Sequence, residues 1–505
     1  MIELLNPAEC SKWLHARVKG VLHTDSRKVK AGDGFIAWPG AKTDGRQYVM
    51  QARAQGATAC LVERTELEKY SIEDSTAVAS YTNLRLATGF IAAEYYGNPT
   101  KVLEIIAITG TNGKTSSAWW LAQALSLVKT SRLTRCGMIG TLGIGQPPLK
   151  DGQNDQLSSI VANGLTTPDP VLLQQEFRNL VDADFAVCAI EASSIGIEEH
   201  RLDGTEIKVG VFTNFTQDHL DYHGSMAAYW QAKLQLFLWP TLQAAVINVD
   251  DPKGHELIEI LKHKGIEIWT ISIVSEARLW AHDISYIGNG LRFKVTENDE
   301  THQIQTAMIG AYNVSNILGV IAAMRAIGVG LKEAIAACEL LTPVPGRMDC
   351  ISQKGQPLVV VDYAHTPDAL ENALKTLSEV AYHRQGLLIC VFGCGGNRDA
   401  SKRPMMGSIA EKYADLISVT SDNPRDESPS VIFDQIFSGF SKNDIAELVP
   451  DRARAITQSI LEAKSADIIL IAGKGHENYQ EIAGVRHLFS DKTHALLALS
   501  RRPAQ

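Results

Sequence analysis

The sequence predicts an α/β protein of three domains, and three observations carry that reading. Short apolar, β-branched runs alternate with stretches of helical spacing, the pattern of parallel strands joined by helices. One of these runs, ending at Thr109, leads straight into a glycine-bearing turn and a helix-forming segment. Two clusters of breakers, Gly97-Asn98-Pro99 and Leu341-Thr342-Pro343-Val344-Pro345-Gly346, interrupt the alternation where domain boundaries fit. They divide the 505 residues into three segments, 1–98, 99–345 and 346–505, within the two to four domains expected at ~100–200 residues per domain.

Residues 1–98 read as short segments punctuated by the turn dipeptides Ala31-Gly32, Asp33-Gly34 and Asp44-Gly45, with one helix predicted before Gly97. The second domain is predicted to hold strands at Glu104 to Ile108, Asp184 to Ile190, Lys208 to Asn214 and Ala244 to Asp250. In the third, strands are expected at Pro357 to Ala364, Leu387 to Cys394, Asp415 to Asp422 and Asp467 to Gly473. Helices such as Pro367 to Ala381 and Asp451 to Ala463 lie between them.

Composition narrows the function classes. Lys and Arg number 48 against 57 Asp and Glu, a net charge of −9. That balance disfavours a nucleic-acid protein held by phosphate contacts. The longest apolar stretch, near Ile317 to Val329, is broken by Arg325 and falls short of the ~20 residues of a spanning helix. No membrane association is therefore expected. The opening MIELLNPAEC lacks the basic start and apolar run of a secretion signal, so a cytoplasmic protein is expected. Eight cysteines occur without a CxxC pair, and buried free thiols are expected rather than disulfides or a zinc site.

The chemistry concentrates at strand ends. Gly110-Thr111-Asn112-Gly113-Lys114-Thr115 follows a strand and opens a helix from Ser116, the context of a phosphate-binding loop. Backbone N–H groups would cradle phosphate oxygens, Lys114 would supply a cation, and the Thr115 hydroxyl would bind Mg²⁺. The loop is the short GxxGK[ST] form, with Ile108 where the longer motif has its first glycine. The second strand ends at Glu191-Ala192-Ser193-Ser194, which places a carboxylate at the ligand-binding edge of a parallel sheet. Glu191 is read as a second ligand for the Mg²⁺ of bound ATP, the alternative being an acid at a helix start. Thr213-Asn214 is followed by Asp218-His219-Leu220-Asp221-Tyr222-His223, whose spacing matches no familiar zinc template. His219 is expected at Mg²⁺ or phosphate, while solvated loop histidines remain the alternative, more so for His223. In the third domain four strand ends gather polar residues: Asp362-Tyr363-Ala364-His365, Gly393 to Arg398, Ser421 to Arg425, and Gly473 to Glu477.

These motifs, with His200-Arg201, Lys233, Asn313 and Arg347, resemble in order and along nearly the whole chain the bacterial Mur ligases. The resemblance implies a UDP-sugar-binding α/β domain, a central P-loop ATPase domain with a mostly parallel sheet, and a C-terminal Rossmann-like domain for the incoming amino acid. It implies ATP-driven amide formation through an acyl phosphate. The implied substrates are UDP-N-acetylmuramoyl-L-alanyl-D-glutamate and meso-2,6-diaminopimelate, in a monomer working in peptidoglycan precursor synthesis. By the same resemblance, Ser26 contacts the UDP moiety, and Thr166, Thr167, Ser193 and Arg201 contact the muramoyl-peptide. Gly110 to Ser116 take the ATP phosphates, and Asn313, Arg347 and Asp362 the adenosine. Arg398, Asp422, Asn423, Pro424, Arg425, Gly473 and Glu477 hold diaminopimelate. Thr115, Glu191, His219 and a CO₂-derived carbamate on Lys233 hold Mg²⁺, with Lys114, Lys233 and His219 catalytic. Lys233 lies in a predicted helix from Ala227 to Phe237, flanked by Tyr229, Leu236 and Phe237, which partly desolvates its amine. Taken without the resemblance, it is an ordinary lysine reaching water along its apolar stem. Two positions depart from the family pattern: Ile195, where histidine is frequent, and Glu199, where an amide is frequent. A folylpolyglutamate synthase is the alternative within the superfamily, disfavoured by Asp422 to Arg425 and by the ~98 residues before the loop. A P-loop ATPase that joins no substrates is the alternative outside it, disfavoured by the polar C-terminal edge.

Overall fold

The computed structural model describes residues 1–40, 43–72, 75–128, 135–149, 160–287, 290–351, 353, 355–441 and 444–502. Among these, three main sheets follow one another along the chain, of five, ten and six strands, with a separate two-stranded hairpin near the C-terminus.

The first sheet uses residues 2–81 and is parallel throughout, with Ala59–Glu63 between Gly34–Ala37 and Val78–Tyr81. Beside the helix Leu84–Tyr95, the α-helices Pro7–His15 and Val49–Ala54 lie where only one helix had been expected. Pro7–His15 carries its own local start signals: Pro7 at its first turn and Asn6, whose side chain accepts the Glu9 N–H.

In the central sheet the strand Glu104–Thr109 lies between Val187–Glu191 and Ile207–Phe212. The register sets Ile108 beside Glu191 and Thr109 beside Phe212. Three consecutive loops must therefore leave the same edge together: Gly110–Gly113, Ala192–Ser193 and Thr213–Asn214. All of these pairings are parallel, as expected of strands whose connections carry helices. The far side of the sheet differs, because Leu279–Ile287, Gly290–Glu297 and Glu300–Thr306 pair antiparallel. Their alternating burial, as in Gly290–Glu297, fits a sheet with one wet face, and Asn298 (φ 52°) turns the last hairpin.

Two helices close the inner face. Lys114–Leu127, with Trp119 and Trp120 buried, and Ala311–Ala326, apolar on nearly every side, pack over the strands in the largest core cluster. At ~25 cal/mol per Å² of apolar area, this burial dominates the stability of the domain that holds the phosphate loop.

The C-terminal sheet runs in the order Asp349–Ile351, Leu358–Asp362, Ile468–Ala472, Leu388–Phe392, Leu416–Val419, Ala446–Leu448. All but the first pairing are parallel. Asp362 lies beside Ala472, and Phe392 beside Val419. The loops after the four predicted strands thus share one carboxyl edge. No helix of the described residues is long and apolar enough to cross a membrane.

Candidate active site

The phosphate loop is built from main-chain geometry. Gly110 has φ 149° and Gly113 φ 84°, and a Cβ on Gly110 would stand 1.8 Å from Thr213 Oγ1. Only glycine permits that approach. The Lys114 ammonium donates to Gly110 O (2.9 Å) and Thr111 O (2.8 Å). Its pKa is lowered, chiefly by burial, with Arg347 adding to the effect against Glu191 and Asp218.

Glu191 is fully buried and anchors the next wall. Its Oε2 accepts from Thr115 Oγ1 (2.9 Å) and Thr141 Oγ1 (3.2 Å), and its Oε1 from the Thr141 N–H (2.8 Å). A neighbouring cluster continues from its backbone: Thr167 Oγ1 donates to Glu191 O (2.7 Å) and lies 2.9 Å from Ser193 Oγ. Arg201 donates to Thr167 O (2.8 Å) and, through Nε, to Glu199 Oε2 (3.0 Å). Thr166 meets Thr141 at 3.1 Å. Thr166, Thr167, Ser193 and Arg201 are thereby brought together. Ser26 stands apart, in a 3₁₀ turn of the first domain with its hydroxyl 3.5 Å from Gln51 Oε1.

Lys233 projects from the helix Met226–Phe237 and is 1% exposed. Its ammonium donates to Gly110 O at 2.7 Å and lies 4.4 Å from the Tyr229 ring centre. Burial, reinforced by Lys114, lowers its pKa well below the usual lysine value. Its apolar stem does not lead to water, as an ordinary surface lysine's would. His219 is half-buried, lies 3.5 Å from Asp218, and has its pKa lowered mainly by burial. His223 is the enclosed histidine of the pair: its ring is 0% exposed, 2.9 Å from Glu198 and 3.0 Å from Ser194 Oγ. The alternative of a solvated His223 does not describe its ring.

A cavity of about 690 Å³ lies against the loop. Thr111 to Ser116, Thr166, Glu191, Ser193, His219 and Asn313 line it from the central domain, and Arg347 and Asp362 from the C-terminal one. Arg347 donates to Thr115 Oγ1 at 3.3 Å and stacks over Tyr363. Burial raises the pKa of Asp362, with Arg347 opposing, and its carboxylate accepts the Met348 N–H at 2.6 Å. Asn313 donates to Ile309 O. The wall also holds residues sequence reasoning left out, notably Thr141, Asp250, Tyr312 and Asp368. Asp368 accepts from Asn112 Nδ2 at 2.8 Å, which ties the two domains at the loop. Its first-turn place in a helix gave no signal of that contact.

The hard oxygen donors Thr115 and Glu191, 2.9 Å apart beside a phosphate cradle, fit Mg²⁺ held jointly with phosphate oxygens. The buried, weakly basic Lys233 amine fits carbamate formation, which would place an anion beside Lys114.

The C-terminal edge is a different kind of site. Asn423 Nδ2 donates to Glu477 Oε2 (2.8 Å), while Asn423 Oδ1 accepts the Glu481 N–H (2.9 Å). Arg425 (φ 52°) donates to Gly396 O at 2.7 Å and stands 3.8 Å from Glu481. The carboxylates that follow it in sequence are engaged elsewhere: Asp426 accepts from Asn397, and Glu427 pairs with Arg403 at 2.8 Å. Arg398 is exposed next to this loop, its Cγ 3.9 Å from where a Gly395 Cβ would be. Gly473 has φ 116°, and a Cβ there would come within 2.5 Å of Asp422 Oδ2. Pro424 is buried, and its carbonyl would meet a Cβ on Gly396 at 1.9 Å. Behind the loops Arg452 and Asp491, both 0% exposed, pair at 2.7 Å, and Arg452 also donates to Ala472 O (2.9 Å). The guanidinium thus pins the residue just before Gly473.

Fold and site define a three-domain enzyme in which a phosphate loop faces a second α/β domain bearing its own polar edge. Models of the Mur ligase family match in sequence: the family's catalytic domain over residues 20–96, its middle domain over 108–324, and its glutamate ligase domain over 346–475. The chain belongs to the Mur ligase family. It is 54% identical over 98% of its length to the UDP-N-acetylmuramoyl-L-alanyl-D-glutamate–2,6-diaminopimelate ligase of Acidovorax sp. (strain JS42), covering 97% of that protein. The protein of the same name from Janthinobacterium sp. (strain Marseille) is 45% identical, with 98% and 97% covered. A solved structure of such a ligase superposes with a TM-score of 0.64 at 35% identity, covering 95% of this chain and 94% of that one.

Proposed function

We propose that this protein is an ATP-dependent ligase that joins meso-2,6-diaminopimelate to UDP-N-acetylmuramoyl-L-alanyl-D-glutamate. The observation that carries the reading is the cavity between the phosphate loop and the Asp362–His365 strand end of the C-terminal domain, in a chain whose relatives are named for this pair of substrates. The loop N–H groups and Lys114 bind the ATP phosphates, and Lys114 leaves its two carbonyl partners to do so. Thr115, Glu191, His219 and a carbamate on Lys233 would hold Mg²⁺. The metal supplies charge neutralisation on the phosphates. Asn313, Arg347 and Asp362 hold the adenosine.

Ser26 takes the UDP end of the acceptor, and Thr166, Thr167, Ser193 and Arg201 orient its peptide. The peptide carboxylate then meets the γ-phosphorus, giving an acyl phosphate and ADP. At the other edge Arg398 and Arg425 hold the carboxylates of diaminopimelate, and Asp422, Asn423, Pro424, Gly473 and Glu477 shape the place for its distal ammonium. The free amine attacks the acyl carbon, and the phosphate leaves. Holding both reactants in line is the main contribution of the chain.

The test is phosphate release in the presence of ATP, Mg²⁺ and the UDP-muramoyl-dipeptide, with single amino acids added. Diaminopimelate is expected to stimulate it, and L-lysine is not. Equal stimulation by L-lysine would sink the substrate assignment and leave the ligase reading standing.

A further inference from the structure

We propose that Lys474 is a positioning residue for the distal ammonium of the incoming diamino acid, acting through Glu477. The inference rests on the reading in which Glu477 faces that ammonium, and it adds a residue that the motif itself does not assign.

Lys474 is 0% exposed, although lysine is rarely buried without a reason. Its ammonium has three hydrogens and no acceptor. It donates to Asn423 Oδ1 (2.9 Å) and Glu477 Oε2 (3.1 Å) and lies 3.9 Å from Asp422 Oδ1. The Tyr479 ring centre is 5.5 Å away. Its hydrogen-bond and ion-pair partners all belong to the two loops that form the amine site.

This placement decides which way two side chains face. Asn423 Oδ1 receives both Lys474 and the Glu481 N–H, so that atom must be the carbonyl oxygen and Nδ2 must face Glu477. Glu477 Oε2 then receives two N–H donors, from Lys474 and Asn423. Among the described residues its Oε1 accepts no hydrogen bond. One oxygen is tied into the protein, and the other remains for a cation. A neutral side chain at position 474 removes the donor that fixes both the amide and the carboxylate.

The experiment compares meso-diaminopimelate with 2-aminopimelate, which keeps both carboxylates and one amine but lacks the distal amine. In the full-length enzyme, Lys474→Met should raise KM for diaminopimelate about tenfold or more, with kcat within about twofold. KM for 2-aminopimelate should not move, nor should KM for ATP. An equal rise for both amino acids would mean that Lys474 only braces the loops, and no rise for either would remove it from recognition. Either result overturns the proposal. Should Lys474→Met fail to fold, Lys474→Arg is read by the same ratio of the two KM values. Indifference of the wild-type enzyme to the distal amine would instead defeat the Glu477 reading, and this proposal with it.

Discussion

The phosphate edge and the amine edge occupy equivalent places on two parallel sheets, yet they are made from different materials. At the first, main chain does most of the work: two glycines with positive φ, a helix start, and a lysine resting on carbonyls 2.8 and 2.9 Å away. At the second, side chains hold one another, Lys474 to Asn423 to Glu477, over a buried Arg452–Asp491 pair. The contrast fits the ligands proposed for the two edges. A triphosphate offers several equivalent oxygens that any array of N–H dipoles can hold. A diamino acid must be told from its analogues by single charges, which requires charges fixed in place. The difference also predicts how each edge fails.

The phosphate edge should fail through turnover. Lys114→Ala removes the only loop cation and should cut ATP-dependent ligation by about 10²-fold or more in a folded protein, measured as phosphate release. Near-full activity would defeat the phosphate-loop assignment. Lys233→Ala should be nearly as damaging, but added acetate should restore part of the rate, since a small carboxylate can enter where the proposed carbamate would stand. Mass spectrometry of the intact wild-type protein, handled under CO₂, should show the added carbamate. No acetate response together with an unmodified lysine would end that reading.

The amine edge should fail through recognition. Arg425→Ala should raise KM for diaminopimelate about tenfold to a hundredfold, the usual effect of losing a charged hydrogen bond, while KM for ATP stays put. An unchanged KM for diaminopimelate would free Arg425 from substrate binding and return it to Gly396 O and Glu481.

The same contrast governs how much could be read from sequence. The phosphate edge is local in the chain: a strand, two glycines, Lys114 and Thr115 are neighbours, so spacing alone exposes them. The eight parallel strands anticipated around both edges are all present, with ends shifted by a few residues. Lys474, Arg452 and Arg403 do their work with partners 24 to 51 residues away, as in Lys474–Asn423, Arg452–Asp491 and Arg403–Glu427. Without the fold, Arg452 reads as one more charge on a helix and Lys474 as part of a turn. The antiparallel strands Leu279 to Thr306 escaped for a related reason. Their polar, alternating pattern resembles surface until the neighbouring strand is known.

The smallest effect is expected at Glu199, the carboxylate that pairs with Arg201. Arg201, assigned to the muramoyl-peptide, already has a carboxylate: Glu199 Oε2 accepts from its Nε at 3.0 Å, and Tyr222 OH reaches Glu199 Oε1 at 3.4 Å. An anionic substrate must compete with that partner. The two side chains are 18% and 22% exposed, a setting in which solvent screens the pair and its worth is about 1 kcal/mol or less. Glu199→Gln keeps the shape and removes the charge, while Arg201 retains Thr167 O. KM for the UDP-muramoyl-dipeptide should then fall about two- to fivefold, with kcat and KM for diaminopimelate unchanged. The gain should shrink as salt is raised, because screening weakens the competitor in the wild type as well. A rise in KM would mean that Glu199 aims Arg201 at the substrate, and the ion pair would have to be counted as part of the binding site.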